Sequence, residues 1–407
     1  MPEAQERSTQ VSASLGVRLR ELAALFLKLG TISFGGPAAH IALMETEVVR
    51  KRQWLTRQQF LDMLGAANLV PGPTSTEMAI STGFVRAGWV GLCVAGASFI
   101  LPAALITGAF AWTYVRFGAL PQAGSVLAGI KPAVIAVIAI ATSRLGRSAV
   151  RNVILAALGV VALAAFFLKL SPIAILFGGG VAGMVIGRAA ERRKASPAAK
   201  ASSGLLATKA SLLSLKKVLI LFAVPAAVVP VAKVPLVRIA LFFLKVGAVL
   251  YGGGYVLLAF LEQGLIHQHA WLTQQQLLDA VAIGQFTPGP VLSSATFIGY
   301  ILGGVPGAAV ATAAIFLPSF FYVALLAPVL FKLRQSPWLA AILDSVNVCA
   351  VALMGGVTVR LAADALRGWP AWVIAVAALA CLWRWKLNPA WVVLGGGLAG
   401  LALAAVR

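Results

Sequence analysis

Between Asp279 and Lys332 the chain carries no Asp, Glu, Lys or Arg, and the same is true between Arg86 and Arg116. A helix needs about 20 apolar residues to cross a bilayer, so the longer run has to hold more than one crossing. Over the 407 residues, 60% are hydrophobic and 11% charged. A soluble domain has about 45–50% apolar and about 25% charged residues. Too little polar surface remains to coat a particle in water, and the pattern is that of an all-α polytopic membrane protein.

The charge that remains is lopsided, with 33 Lys or Arg against 12 Asp or Glu and a net charge of +21. Nucleic-acid binding would place those cations on one face of a soluble fold. Here they punctuate apolar runs instead, which fits the positive-inside rule and also gives an attractive field for an anionic solute. No nucleic-acid partner is expected. Cys93, Cys349 and Cys381 lie far apart in apolar segments and form neither a metal-type pair nor a disulfide framework. Residues 1–20 are polar and mixed in charge, so no removable signal peptide is read there.

Shifted by 217 residues, the chain matches itself. Phe26-Leu27-Lys28-Leu29-Gly30 falls on Phe243-Leu244-Lys245-Val246-Gly247, Gly35-Gly36 on Gly252-Gly253, and Pro71-Gly72-Pro73 on Pro288-Gly289-Pro290. After a one-residue gap, Pro102 meets Pro318 and Arg144 meets Arg360. The chain is a tandem duplication: a polar tail at 1–20, a first repeat at 21–187, a basic linker with the entry to the second repeat at 188–235, and a second repeat at 236–407. The linker's charge argues for the cytoplasmic side. Each half offers about six apolar stretches, giving an expectation of about 10–12 spans. The first two elements of each half are broken by Gly-Gly and Pro-Gly-Pro and are expected to be discontinuous or re-entrant.

Loop charge also bears on orientation. The loop after the first stretch holds Arg50, Lys51, Arg52 and Arg57, whereas residues 263–276 have no Lys or Arg. That contrast suggests inverted halves; the loops Arg144–Arg151 and Arg360–Arg367, basic in both halves, argue the other way.

The run Phe26 to Pro37 with its Gly35-Gly36, then His40, Trp54-Leu55 and Pro71-Gly72-Pro73, resembles the chromate ion transporter family. The second half carries the same frame in Gly252-Gly253, Trp271-Leu272 and Pro288-Gly289-Pro290, and the duplicated length resembles the family's long, two-domain form. It departs by having Gly254-Tyr255 where the first half has Pro37-Ala38, and Leu257 in place of His40. The resemblance implies movement of chromate across the cytoplasmic (inner) membrane, chiefly outward, with no cofactor. The expected partners are the oxyanion and the lipid bilayer, with a homodimer left open.

The residues suit such a cargo. A dianion leaving water must have its hydration replaced. An interrupted membrane helix supplies free N–H groups and the positive end of a dipole, and transporters place such breaks around a midplane site. The expected binding positions are Ser33, Gly35, Gly36 and Pro37; Pro71, Gly72, Pro73 and Thr74; Gly252, Gly253 and Gly254; and Pro288, Gly289, Pro290 and Ser293. Packing and kinking are the plainer use of such Gly and Pro residues.

Intramembrane ionisable groups are candidates by default. Lys28 and Lys245, equivalent in the two halves, either meet the anion or snorkel to the interface. Glu77, just after the first Pro-Gly-Pro, and His40 are the candidates for proton coupling, and Glu77 has no acidic counterpart in the second half. Glu45, Glu262, Asp62 and Asp279 recur but suit structural pairing. Gly178, Gly180 and Gly183 match G-x-G-x-x-G, yet no strand precedes them; Gly179, Gly183 and Gly187 form a small-residue packing stripe instead.

A secondary transporter is therefore expected, with no P-loop to suggest ATP. An anion channel is the alternative. An intramembrane enzyme acting on phosphorylated lipids is less favoured, because neither H-E-x-x-H nor G-x-S-x-G is present.

Overall fold

The computed structural model describes residues 14–34, 36–67, 71–117, 121–194, 234–250, 256–326, 337–385 and 387–405. Gly35, Gly252, Gly253, Gly254 and most of the basic linker lie outside the described residues. Those described form helices and no strand. The first half contains α1 (Leu15–Ile32), α2 (Pro37–Glu45, widened into a π turn through Lys51), α3 (Arg57–Ala67), α4 (Thr74–Phe117), α5 (Pro121–Ala149), α6 (Val153–Phe167) and α7 (Pro172–Lys194). The second repeats the order with α8 (Leu236–Val249), α9 (Leu257–Leu261, again widened through Gln268), α10 (Gln274–Phe286), α11 (Ser294–Leu326), α12 (Pro337–Ala365), α13 (Trp369–Arg384) and α14 (Pro389–Ala405).

The breaks turn the chain back on itself. Lys28 Nζ lies 3.0 Å from Glu47 Oε1, although an unbroken helix would separate these residues by about 28 Å. The chain therefore reverses between α1 and α2. A second reversal sits inside α4, where Gly88 has φ 61° and ψ −148°, a region open in practice only to glycine. Around it Gly83 closes on Gly91, and a Cβ at Gly96 would lie 2.9 Å from Ile80. In a straight helix residues 80 and 96 would be about 24 Å apart. Gly304 repeats the kink in α11 with φ 63° and ψ −152°. Arg86, at the end of the first arm, pairs with Glu21 at 3.0 Å and accepts a bond from Arg18 at its carbonyl. The arm thus returns to the level at which α1 begins.

Among the described residues four helices are long and apolar enough to cross a membrane, over residues 74–117, 124–149, 291–325 and 341–365. Shorter apolar helices at 153–167, 172–186, 369–384 and 389–405 accompany them, and the broken elements supply the remaining apolar length.

The equivalent helices α5 and α12 run antiparallel: Gly146 faces Val351 while Thr142 faces Gly355, one number rising as the other falls. The last two helices of each half are exchanged. α6 and α7 pack on α12 of the second half, and α13 and α14 pack on α5 of the first. Glycines permit the close approach. A Cβ at Gly183 would meet the Ala341 carbonyl at 2.6 Å, and Gly129 nests against Gly396 and Gly400. Gly178 faces open space, whereas Gly179 of the stripe packs against Cys349 on α12. Arg144 donates to the Leu382 carbonyl at 3.4 Å and Arg360 to that of Phe166 at 3.5 Å, each at the C-terminal end of an exchanged helix, where cations are favoured.

A buried charge pair also joins the halves. Lys131 Nζ on α5 lies 3.1 Å from Asp279 Oδ1 on α10, and Tyr114 of α4 donates to Asp279 Oδ2 at 2.9 Å. Removing one member of a buried pair leaves an uncompensated charge at a cost of about 3–5 kcal/mol. Asp279→Asn should therefore lower the thermal midpoint in detergent sharply, and Lys131→Met combined with Asp279→Leu should recover most of the loss. A single variant as stable as the parent would contradict this. The antiparallel repeats make a second prediction. Single cysteines at positions 52 and 268 should be labelled by an impermeant maleimide from opposite sides of the membrane; labelling of both from one side would contradict the arrangement.

Candidate functional site

Both Pro-Gly-Pro turns are bonded across the halves, and each half completes the other. The Gly72 N–H donates to the Leu250 carbonyl at 2.7 Å, and the Gly289 N–H donates to the Ser33 carbonyl at 2.9 Å. Ser33 and Leu250 occupy equivalent positions, as do Gly72 and Gly289. The first Pro-Gly-Pro turn is thus bonded to the end of α8, and the second to the end of α1. His40 adds a contact from Nε2 to the Ser33 carbonyl at 3.1 Å.

Proline suits these turns because it brings no N–H to be stranded in the interior, and the glycines between the prolines are closely enclosed. A Cβ on Gly289 would lie 2.8 Å from that of Ala103, and one on Gly72 would strike Glu77 Oε1 and Ser319 Oγ. Glu77, from the arm after the turn, and Ser319, from α11 of the opposite half, therefore share the space beside Gly72.

Several polar groups here lack partners. Ser33 Oγ, Thr76 Oγ1, Ser293 Oγ, Ser319 Oγ and both carboxyl oxygens of Glu77 make no hydrogen bond among the described residues. Each of these side chains is at most 1% exposed. Thr76 and Ser293 each follow their turn by three residues, with N–H groups bonded to Pro73 and Pro290 at 2.8 and 2.9 Å. An unsatisfied buried polar group costs about 1–3 kcal/mol, and native structures rarely retain several close together. Such a set marks a candidate site for a polar ligand.

The expected residues divide accordingly. Ser33, Gly36, Pro37, His40, Pro71, Gly72, Pro73, Thr74, Glu77, Pro288, Gly289, Pro290 and Ser293 belong to the turns or their adjoining helix starts. Lys28 does not: Glu47 pairs with it at 3.0 Å and with Lys51 at the same distance. Lys245 lies on the exposed face of α8, on the wall of a surface groove between α8 and the start of α7. Asp62 and Asp279, equivalent in sequence, part company. Asp62 accepts from Gln58 near the surface, whereas Asp279 is 1% exposed and paired with Lys131.

Sequence reasoning missed Ser319 and the Lys131–Asp279 pair. A serine within Phe316-Leu317-Pro318-Ser319 was a weak signal for the first. The unmatched Lys131, whose counterpart is Asn347, was the signal for the second.

A family model described as "Chromate transporter" matches the chain twice, over residues 20–184 and 237–401. A chromate transport protein of Cupriavidus metallidurans is 34% identical over 94% of this chain and 92% of its own length. A probable chromate transport protein of Synechococcus elongatus is 32% identical over 94% and 95%, and a chromate transport protein of Pseudomonas aeruginosa 31% identical over 93% and 91%. No solved structure matches. With the duplicated frame and both Pro-Gly-Pro turns inside the matched segments, the chain belongs to the chromate transporter family.

Proposed function

We propose that this protein is a secondary transporter that carries chromate, or a related tetrahedral oxyanion such as sulfate, outward across the cytoplasmic membrane. The observation that carries the reading is the set of unpartnered hydroxyls on Ser33, Thr76, Ser293 and Ser319 around the meeting turns. Hydroxyl donors on several sides, beside the starts of α4 and α11, suit an anion that must exchange hydration for protein contacts. Antiparallel repeats sharing one site suit alternating access.

Direction follows from charge. A membrane potential is worth about 2.3 kcal/mol per elementary charge per 100 mV. A dianion leaving a negative interior therefore gains about 4.6 kcal/mol, on the order of a thousandfold gradient. Glu77 modulates this. Among the described residues no cation pairs with its carboxyl, so its charge depends on proton supply. A proton travelling on Glu77 with the dianion would halve the charge moved, and the residue therefore couples flux to pH. Nothing favours an enzyme, and a channel would give flux that does not saturate.

Two predictions test the site. A buried unpaired hydroxyl is a stability cost, so Thr76→Val and Ser319→Ala should leave the thermal midpoint equal or higher while weakening chromate binding at least fivefold. Lower stability with unchanged affinity would assign these hydroxyls to the scaffold. In everted vesicles, uptake of chromate should saturate, compete with sulfate and respond to the imposed potential. Glu77→Gln should keep binding but flatten the pH dependence of that uptake. Loss of binding with the pH dependence intact would remove the coupling role.

A further inference from the structure

The two halves share a frame but differ in charge at one surface. In the first half Glu21 pairs with Arg86, and Glu47 collects Lys28 and Lys51. At the equivalent positions of the second half Glu21 becomes Arg238, Arg86 becomes Leu302 and Glu47 becomes Gly264, while Lys28 is kept as Lys245. Both carboxylates are gone and one has become a cation. Among the described residues Arg238 and Lys245 have no acidic partner. The nearby Glu262 is engaged instead by Arg360 and His267, each at 3.8 Å.

The place of the lost carboxylate is taken by the Phe242 ring, and an open groove lies beside it. A groove of about 380 Å3 lies between α8, the π turn after α9 and the start of α7, and Gly264 forms part of its wall. At about 30 Å3 per water that is on the order of ten waters. Arg238, Phe242 and Lys245 line it from one face of α8, spaced four and three residues apart as neighbours on a helix must be. Gln263, Gln268 and His269 face them. The His269 ring is stacked on Trp271, with centroids 4.6 Å apart, which fixes that side of the groove. Two cations, two amides and an imidazole, with no carboxylate, form a recognition set for a tetrahedral oxyanion.

We infer that this groove is a second anion site, separate from the meeting turns, which binds a tetrahedral oxyanion: either the free anion or the phosphate of an anionic phospholipid. Its charge pattern belongs to the second half, where Gly264 and Arg238 stand in place of the first half's Glu47 and Glu21. The inference does not depend on the transport site. If the turns bind nothing, the groove still does.

The first half shows how to close it. A side chain at position 264 would collide with Phe242, and the residue equivalent to Phe242 is Leu25. Phe242→Leu with Gly264→Glu therefore transplants the first half's arrangement, with a carboxylate for Lys245. Lys245→Gln, on an exposed face, is the companion variant that leaves packing alone. Radiolabelled sulfate binding to the full chain in phosphatidylcholine nanodiscs should give two sites per chain for the parent and one for either variant. One for the parent and none for the variants would sink the site at the turns and keep the groove. In nanodiscs containing phosphatidylglycerol, displacement of the groove sulfate, with the lipid retained by the parent and lost from the variants in native mass spectra, identifies the headgroup as occupant. Undisturbed sulfate identifies the free anion. Equal sulfate stoichiometry and equal lipid retention in the parent and both variants overturns the inference.

Discussion

Backbone amides and carbonyls cannot be left bare in hydrocarbon, and this chain ends helices there repeatedly. The reciprocal bonds from Gly72 to Leu250 and from Gly289 to Ser33 meet that demand. Each half supplies the donor for a carbonyl that the other half's broken helix has exposed. A single copy of the repeat would strand both groups unless a second copy paired with it. The duplication thus supplies the partner within one chain, and the remaining architecture keeps the two sets of turns in register. The kinks at Gly88 and Gly304 return the arms, the Lys131–Asp279 pair joins α5 to α10, and the exchanged helices lock the outer shell.

Symmetry in the frame makes the asymmetries informative. Glu77 has no acidic counterpart, Ser319 stands where the first half has Ala103, and His40 stands where the second half has Leu257. The candidate site is therefore two-fold in the reciprocal bonds of its turns and one-sided in its chemistry. A carrier that must pass the same anion through two faces can use such a difference to bind it unequally on the two sides. The peripheral groove follows the same logic, since carboxylates retained in one copy and replaced in the other leave Arg238 and Lys245 without acidic partners among the described residues.

Much of this architecture is legible in the order of the residues. The repeat offset, the uncharged runs and the doubled Gly-Gly and Pro-Gly-Pro breaks indicate a helical membrane protein with interrupted helices, because breaks at fixed spacing in apolar sequence have few other uses. The small-residue stripe around Gly183 is readable from its spacing alone. The partners in space are not. The meeting of Gly72 with Leu250 joins residues from different halves, and nothing local in either segment encodes it. The same holds for Asp279, whose equivalent Asp62 sits at the surface; only the arrival of Lys131 from another helix makes it a buried ion pair. Lys28 and Lys245 look alike because their own segments are alike, while their difference lies at positions 47 and 264.

The exchange of α6 and α7 for α13 and α14 governs the order in which the molecule can be built. During synthesis α5 emerges long before the helices that will cover it, and α6 and α7 wait beside it for α12. The first half can insert but cannot close: its glycine face at Gly183 waits for α12, and the one at Gly129 waits for α14. Completion comes only when α14 reaches Gly129. A ribosome stalled before that point would leave an inserted but unfinished protein, marked by a bare helical face rather than by any unfolded segment.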